Sequence, residues 1–440
     1  MSKFRRYFLV LTMLVFFLPM SISAQHFDQV MSSEALRPFW SIYGIGASSF
    51  TLLNNSHLET DIGSTQSNPA FLVNVKRPKG SFSGIGISPK NLTTLANVGK
   101  DYSASTTKYN VSYIGFAYPF PVYKGSFVIA ASYSPAAYYY SSSYTKGTTG
   151  ATYYDEDGNA HIIDTDLEYD INESGTLNAF RFAGATEFMK NFNLGLSFNF
   201  YNGQRNYEST EIGIDVNDRL DFNSIIYQEN IKPSYSGFNM DFGMCYQSEN
   251  YKIGLRLSTP LRLKVHEISE LTEDYFYDSV VDSIFSYDFK YKTRYPLELS
   301  PNFAIKVGKI SLGMEFIFHN WQKIEVDLLD EMREVNRDLY WNLRNTTDIG
   351  AVLTIPFGNS LSTRLAYRLV PSPYTEYEPD EEYYHVLGAG IETILKESII
   401  IGCSFQHGFG NMSNFYRYFE TTTTQAYTEN RCSISLAVLF

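Results

Sequence analysis

Long stretches of the chain alternate apolar with small or polar residues at a period of two. In Asn191–Tyr201, Phe192, Leu194, Leu196, Phe198 and Phe200 share one face, and Asn193, Gly195, Ser197 and Asn199 share the other. Ile310–His319 repeats the pattern with Ile310, Leu312, Met314, Phe316 and Phe318. The last stretch repeats it with Ile434, Leu436, Val438 and Phe440. Runs of about ten residues with one apolar and one small polar face are the length and pattern of strands that cross a bilayer as a closed barrel. A soluble β-sandwich also alternates, so the connections decide. Short turns at 120–125, 189–191, 247–250, 307–309, 356–360 and 395–398 take turns with long connections near 89–108, 142–174, 206–232, 267–287, 320–345, 371–383 and 410–425. Sorting by length puts short turns at one rim and long loops at the other. It predicts an all-β, 14-stranded antiparallel transmembrane β-barrel over 80–440.

The start of the chain breaks this pattern. Lys3, Arg5 and Arg6 precede an apolar run from Tyr7 to Leu18 and a small-residue zone ending at Ala24, which predicts a signal peptide over 1–24. That run is too short for a spanning helix, which needs about 20 residues. Residues 25–79 lack steady alternation yet carry Phe39, Trp40, Phe50, Leu52 and Phe71. Such side chains need burial, so this segment is expected to fold inside the barrel as an N-terminal hatch.

Composition fits a membrane barrel. Aromatic residues make up 16% of the chain, with 35 Tyr and 33 Phe against 3 Trp, and mean hydropathy is only -0.21. The formal charge of -12 argues against nucleic acid as a partner. Cys245, Cys403 and Cys432 stand far apart in alternating stretches. They read as small wall residues, with one disulfide pair left open. Neither HExxH nor GxSxG occurs, and no metal or cofactor motif is present, so the chain reads as a non-enzyme without a cofactor.

Several stretches resemble the FadL-like long-chain fatty acid transporters of the bacterial outer membrane. Asp61–Ala70, closing in Asn68-Pro69-Ala70, is similar to that family's hatch. Gly237–Gly243 followed by Lys252–Pro260 resembles its central hairpin. Tyr295-Pro296-Leu297 with Gly313-Met314-Glu315, and Arg364–Arg368 with Pro371-Ser372-Pro373, resemble further stretches. The resemblance implies a fourteen-strand barrel closed by an N-terminal hatch. It also implies capture of a hydrophobic ligand on outer loops and sideways exit at the third strand.

The residues offer places for each step. Pro135, followed by Ala136 and Ala137, interrupts the expected third strand; it marks either a lateral gate or the strand's outer end. The third long loop carries Ile212, Ile214, Leu220, Phe222, Ile225 and Tyr227, and the fourth carries Phe276, Val280, Ile284 and Phe285. These apolar residues suit ligand capture or mutual packing as a cap. On the lumen face, Arg256, Arg364 and Arg368 are candidates to bind a ligand carboxylate; the alternative is that paired lumen charges hold the hatch in place. The leading expectation is a monomeric passive uptake channel for a hydrophobic small molecule such as a fatty acid, set in outer-membrane lipid. Its rivals are a scaffold of the same fold that holds a secreted protein through its loops, and a general porin.

Overall fold

In a computed structural model of the chain, the described residues are 62–95, 100–154, 160–216, 223–276, 280–327, 332–358, 360–375, 383–416 and 421–440. The signal-peptide stretch and residues 25–61 of the expected hatch lie outside them, as do Leu220 and Phe222. The described strands are β1 (Lys79–Leu95), β2 (Asp101–Ser105), β3 (Lys108–Phe120), β4 (Phe127–Tyr138), β5 (Ser141–Tyr154), β6 (Ala160–Met189) and β7 (Phe192–Asp215). They continue as β8 (Ser224–Gln247), β9 (Tyr251–Ser258), β10 (Arg262–Phe276), β11 (Val280–Arg294), β12 (Glu298–Val307), β13 (Ile310–His319) and β14 (Glu325–Asp327). The last are β15 (Thr346–Phe357), β16 (Leu361–Pro371), β17 (Tyr383–Leu395), β18 (Ile399–Tyr416) and β19 (Thr421–Leu439).

These strands form one closed antiparallel cylinder of fourteen wall strands. Wall strand three is β4 continued by β5, strand seven is β9 continued by β10, and strand eight is β11 continued by β12. β1 pairs with β19 from Lys79↔Leu439 to Leu95↔Thr423, which leaves no open edge at the seam. The interruptions in strands seven and eight fall at Pro260 and Pro296, which lack the N–H a ladder needs. All six short turns lie where the alternation predicts. Two tight ones carry positive φ at Gly308 (65°) and Asn191 (69°), residue types that tolerate it.

The two faces sort as the period of two requires. Phe182, Phe200, Phe238, Met244, Ile253 and Leu436 are exposed on the outside. Ser197, Asn199, Asp241, Ser300, Asn302 and Arg364 are buried on the inside. Every backbone polar group in the lipid zone needs a partner, and a closed sheet supplies one.

The long connections differ from expectation. Most are strands rather than loops: 142–174 is largely the β5–β6 hairpin, 206–232 the β7–β8 hairpin and 267–287 the β10–β11 hairpin. β6 alone runs 30 residues, whereas a tilted crossing strand takes about 9–11. Outside the lipid neither face must be uniformly apolar, so the alternation fades while the ladder continues. That is why the sequence pattern stops short of the strand ends.

Candidate functional site

Residues 62–75 lie inside the cylinder near the short-turn rim. They fold as a helical turn, α1 (Ser64–Ser67), and a 3-10 turn (Pro69–Asn74). Asn68 begins the second turn: its Oδ1 accepts from the Ala70 N–H at 3.0 Å. Its Nδ2 donates to the carbonyls of Met244 and Leu255, both at 3.2 Å. The wall makes room with glycine. A Cβ on Gly243 would stand 2.2 Å from Asn68 Oδ1, and one on Gly195 2.4 Å from the Ala70 nitrogen. Small residues extend the seat, since Ile62, Leu72 and Val73 pack on Ala117, Ala130, Ala183 and Ala185. Polar ties complete it: Thr65 with Ser132 at 2.9 Å, and Gln66 donating to Ser134 at 2.5 Å.

Wall strand three departs from the wall above this segment. β3 and β4 pair only from Ile114↔Tyr133 to Phe120↔Phe127. Beyond Tyr133 the alternating exposure of β4 gives way to continuous burial from Ser134 to Tyr138. A bulge between Pro135 and Ala137 shifts its register against β6. Tyr138 turns onto Ile85 and Ile87 of β1. The β5 continuation packs across onto β1, with Asn91 Nδ2 donating to the Ser142 carbonyl at 2.5 Å. The β3–β4 ladder therefore ends at Ile114, short of the first residues of β3. Proline at this position does not end the strand: β4 continues through it to Tyr138.

Where strand three turns inward it meets an apolar cluster. Ala136, Ala137 and Tyr139 join Leu177, Tyr235, Leu261, Leu263 and Tyr295 from strands four to eight. Ile324, Leu339 and Leu343 cover it; Leu339 belongs to the helix α2 (Met332–Asn342) in the connection after β13.

Below the cluster, the lumen face of strands six to eleven carries a belt of charges. Arg256 pairs with Glu298 and lies 3.8 Å from Asp241. His319 stands 3.3 Å from Glu298 and 3.5 Å from Asp348, and Arg368 reaches Asp348 at 2.7 Å. Arg364 pairs with Glu392 at 3.3 Å. The ring of Trp321 stacks on His319 with centroids 4.6 Å apart. All three candidate arginines thus have carboxylates of the wall as partners.

The described capture residues lie on two hairpins and on both of their faces. Ile212 and Ile214 lie on one face of the β7–β8 hairpin, and Ile225 and Tyr227 on the other. Phe276, Val280, Ile284 and Phe285 are likewise strand residues of β10 and β11, and the adjacent Ile284 and Phe285 point to opposite faces. Sequence reasoning missed the cluster around Leu261 and Leu263, and the glycine seat. Gly195, Gly243 and Gly254 at matching heights on adjacent strands were the available signal. All three cysteines are free, and Cys403 and Cys432 sit on the lipid face of neighbouring strands.

No protein-family model matches the chain, and no curated protein matches its sequence. Solved structures do match its fold. The toluene transporter TodX of Pseudomonas putida is 12% identical with a TM-score of 0.56, over 91% of this chain and 100% of that one. A FadL homologue of Pseudomonas aeruginosa is 11% identical with a TM-score of 0.57, over 90% and 100%. The toluene transporter TbuX of Ralstonia pickettii is 11% identical with a TM-score of 0.53, over 91% and 99%. Identity this low carries the shared architecture alone: the chain is a closed fourteen-stranded antiparallel β-barrel with an apolar outer face.

Proposed function

We propose that the barrel is a passive uptake channel for a hydrophobic small molecule. The ligand enters from the long-hairpin side and is held in the apolar cluster. It leaves sideways between β3 and β4, and residues 62–75 with the preceding segment act as the hatch. One observation carries this reading: the inward turn of strand three at Pro135–Tyr138 ends a wall ladder and leads directly to apolar side chains. An apolar solute gains roughly 25 cal/mol per Å² of surface removed from water, so a cluster beside a wall break favours a path into lipid over one into the periplasm. Solved proteins of like fold are described as toluene transporters and a monoaromatic hydrocarbon channel. The cluster, lined by Ala, Leu and Tyr, suits either such a ring or an acyl chain such as a fatty acid.

The test is uptake of labelled toluene and of a labelled long-chain fatty acid by cells that make the full-length protein in a host lacking its own channels. Expression raises uptake of at least one of them, and Ala137→Trp, which fills the cluster at the wall break, returns it to the level of empty cells. Faster entry of small polar solutes with no gain for either apolar compound would sink the channel reading. A scaffold for a secreted protein has one observation of its own, the exposed Ile284 and Phe289 on the projecting β10–β11 hairpin. Deleting residues 270–286 separates the two, because it removes a scaffold surface and leaves the cluster and wall break in place.

A further inference from the structure

We propose that the outward face of wall strands six to eight, just above the lipid belt, binds the phosphate groups of anionic glycolipid in the outer leaflet. The apolar outer face of strand six ends at Phe238, and that of strand eight ends at Leu297. On strands seven and eight the next outward positions are cations, whereas on strand six Ser236 and Ser234 come before Lys232. Arg262 pairs across the ladder with Arg294, and Lys264 with Lys292; His266 pairs with Lys290 one row higher. Lys232 of β8 lies beside Ile268 in the row after that. Like charges directly opposite one another weaken a sheet, yet here they repeat in consecutive outward rows.

Local carboxylates do not balance them. Glu325 pairs with Arg294 at 3.3 Å, and Asp288 with His266 at 2.9 Å. Asp327 stands opposite Lys292 on β14. Against Glu325, Asp288, Asp327 and, one row beyond Lys232, Glu270 stand Arg262, Lys264, Lys290, Lys292, Arg294 and Lys232, an excess of two cations on one patch of a chain whose formal charge is -12. Among the described residues, no carboxylate forms an ion pair with Arg262, Lys264, Lys290 or Lys292. The rim elsewhere is different: Asp166, Glu168 and Asp170 on β6 and Glu208 on β7 face outward at comparable or greater height. Exposed cations at the headgroup level, beside lipid and in excess of their local carboxylates, match phosphate on a membrane-anchored sugar. Arg262 and Arg294 supply planar forks for it, and the lysines supply point charges. This assignment rests on the orientation of the barrel in the membrane and not on what the lumen carries.

The experiment places the purified full-length barrel in nanodiscs of neutral phosphatidylcholine and titrates in bisphosphorylated lipid A, with bound lipid counted by native mass spectrometry. Parallel titrations use the dephosphorylated glycolipid, phosphatidylglycerol and inorganic phosphate. The wild-type barrel is expected to retain the bisphosphorylated form and to bind the dephosphorylated form at least about tenfold more weakly, the scale of losing two or more surface charge contacts at a membrane. The combined Arg262→Gln, Lys264→Gln, Lys292→Gln, Arg294→Gln variant loses the same preference, and its heat-modifiable migration reports whether the barrel has folded. If that variant does not fold, the phosphorylated-against-dephosphorylated comparison on the wild type still decides. Equal binding of both glycolipids, equal binding of phosphatidylglycerol, saturation by inorganic phosphate alone, or a folded variant that keeps the preference would each overturn the proposal.

Discussion

Replacing Gly195 with alanine tests whether the glycine seat holds the N-terminal segment in the lumen. The added Cβ would lie 2.4 Å from both the Ala70 nitrogen and the Pro69 carbonyl carbon, with Ala70 Cα at 2.8 Å. These are backbone atoms, so no rotamer change relieves the clash. Ordinary contact lies near 3.5–4.0 Å, so the turn must retreat by roughly 1 Å. Asn68 Nδ2 already stands 3.2 Å from the carbonyls of Met244 and Leu255, and a retreat of that size breaks both bonds. Each is worth about 0.5–1 kcal/mol, and residual overpacking adds a further 1–3 kcal/mol. The docked segment should therefore lose roughly 2–5 kcal/mol relative to its released state, while the wall, closed by its ladders, stays folded. Hydrogen exchange reads this directly: amides of residues 68–75 exchange at least about thirtyfold faster in Gly195→Ala at the lower bound of that range, and those of β7 and β8 do not. Planar-bilayer recording should show larger or more frequent ion-conducting openings. Unchanged exchange at 68–75 in a folded variant would refute the seat.

Three further outcomes follow from the same geometry. Glu211 sits buried in the projecting β7–β8 hairpin between Tyr169 and Tyr227, and burial pushes its carboxyl up to about 7. Since the folded value is raised, the carboxyl's contribution is complete below the ordinary 4.5 and is lost as pH rises through about 7. Glu211→Gln should make the hairpin about 1–3 kcal/mol more stable at pH 8 and change little at pH 4, which hydrogen exchange of 207–215 at the two pH values will show. Arg256→Ala strands Glu298 and Asp241 in the lumen and should cost about 3–5 kcal/mol, whereas replacing Arg256 and Glu298 together by Met and Gln should cost much less; urea unfolding followed by intrinsic tryptophan fluorescence compares them. Asn68→Ala, which removes two bonds to the wall and one cap, should cost the docked segment about 1–3 kcal/mol, seen as faster exchange at Ala70 and Phe71.

The wall was legible because lipid imposes one rule on every crossing strand. Phe192 to Phe200 and Ile310 to Phe318 announce themselves since each outward position must be apolar. Where that rule lapses, so does the reading: Ile212 and Ile225 read as loop residues although each belongs to a ladder, because hairpins outside the membrane face water on one side and neighbouring strands on the other. Pro135 stood out as a missing N–H, but only coordinates show that the chain continues through it and turns inward. The glycine seat escaped notice for a related reason. Gly195, Gly243 and Gly254 occupy lumen positions where any small residue fits the alternation, and their shared height appears only when three strands are placed in register.

Height along the barrel gives these features a common logic. Nearest the short turns, the glycine seat fixes Asn68-Pro69-Ala70. Above it the belt from Asp241 through Arg256, Glu298, His319 and Asp348 to Arg368 crosses strands six to eleven. Higher still, the apolar cluster spans strands three to eight. An apolar solute at the cluster meets paired charges on one side, which offer it no gain from burial. On the other side it meets Ala136 and Ala137, where the wall ladder has ended. The asymmetry follows from which strands carry Arg and Glu and which carry Ala and Leu at the same facing positions. A path sideways past strand three therefore needs no moving charge, whereas a path straight down would have to part both the belt and the segment held against Gly195.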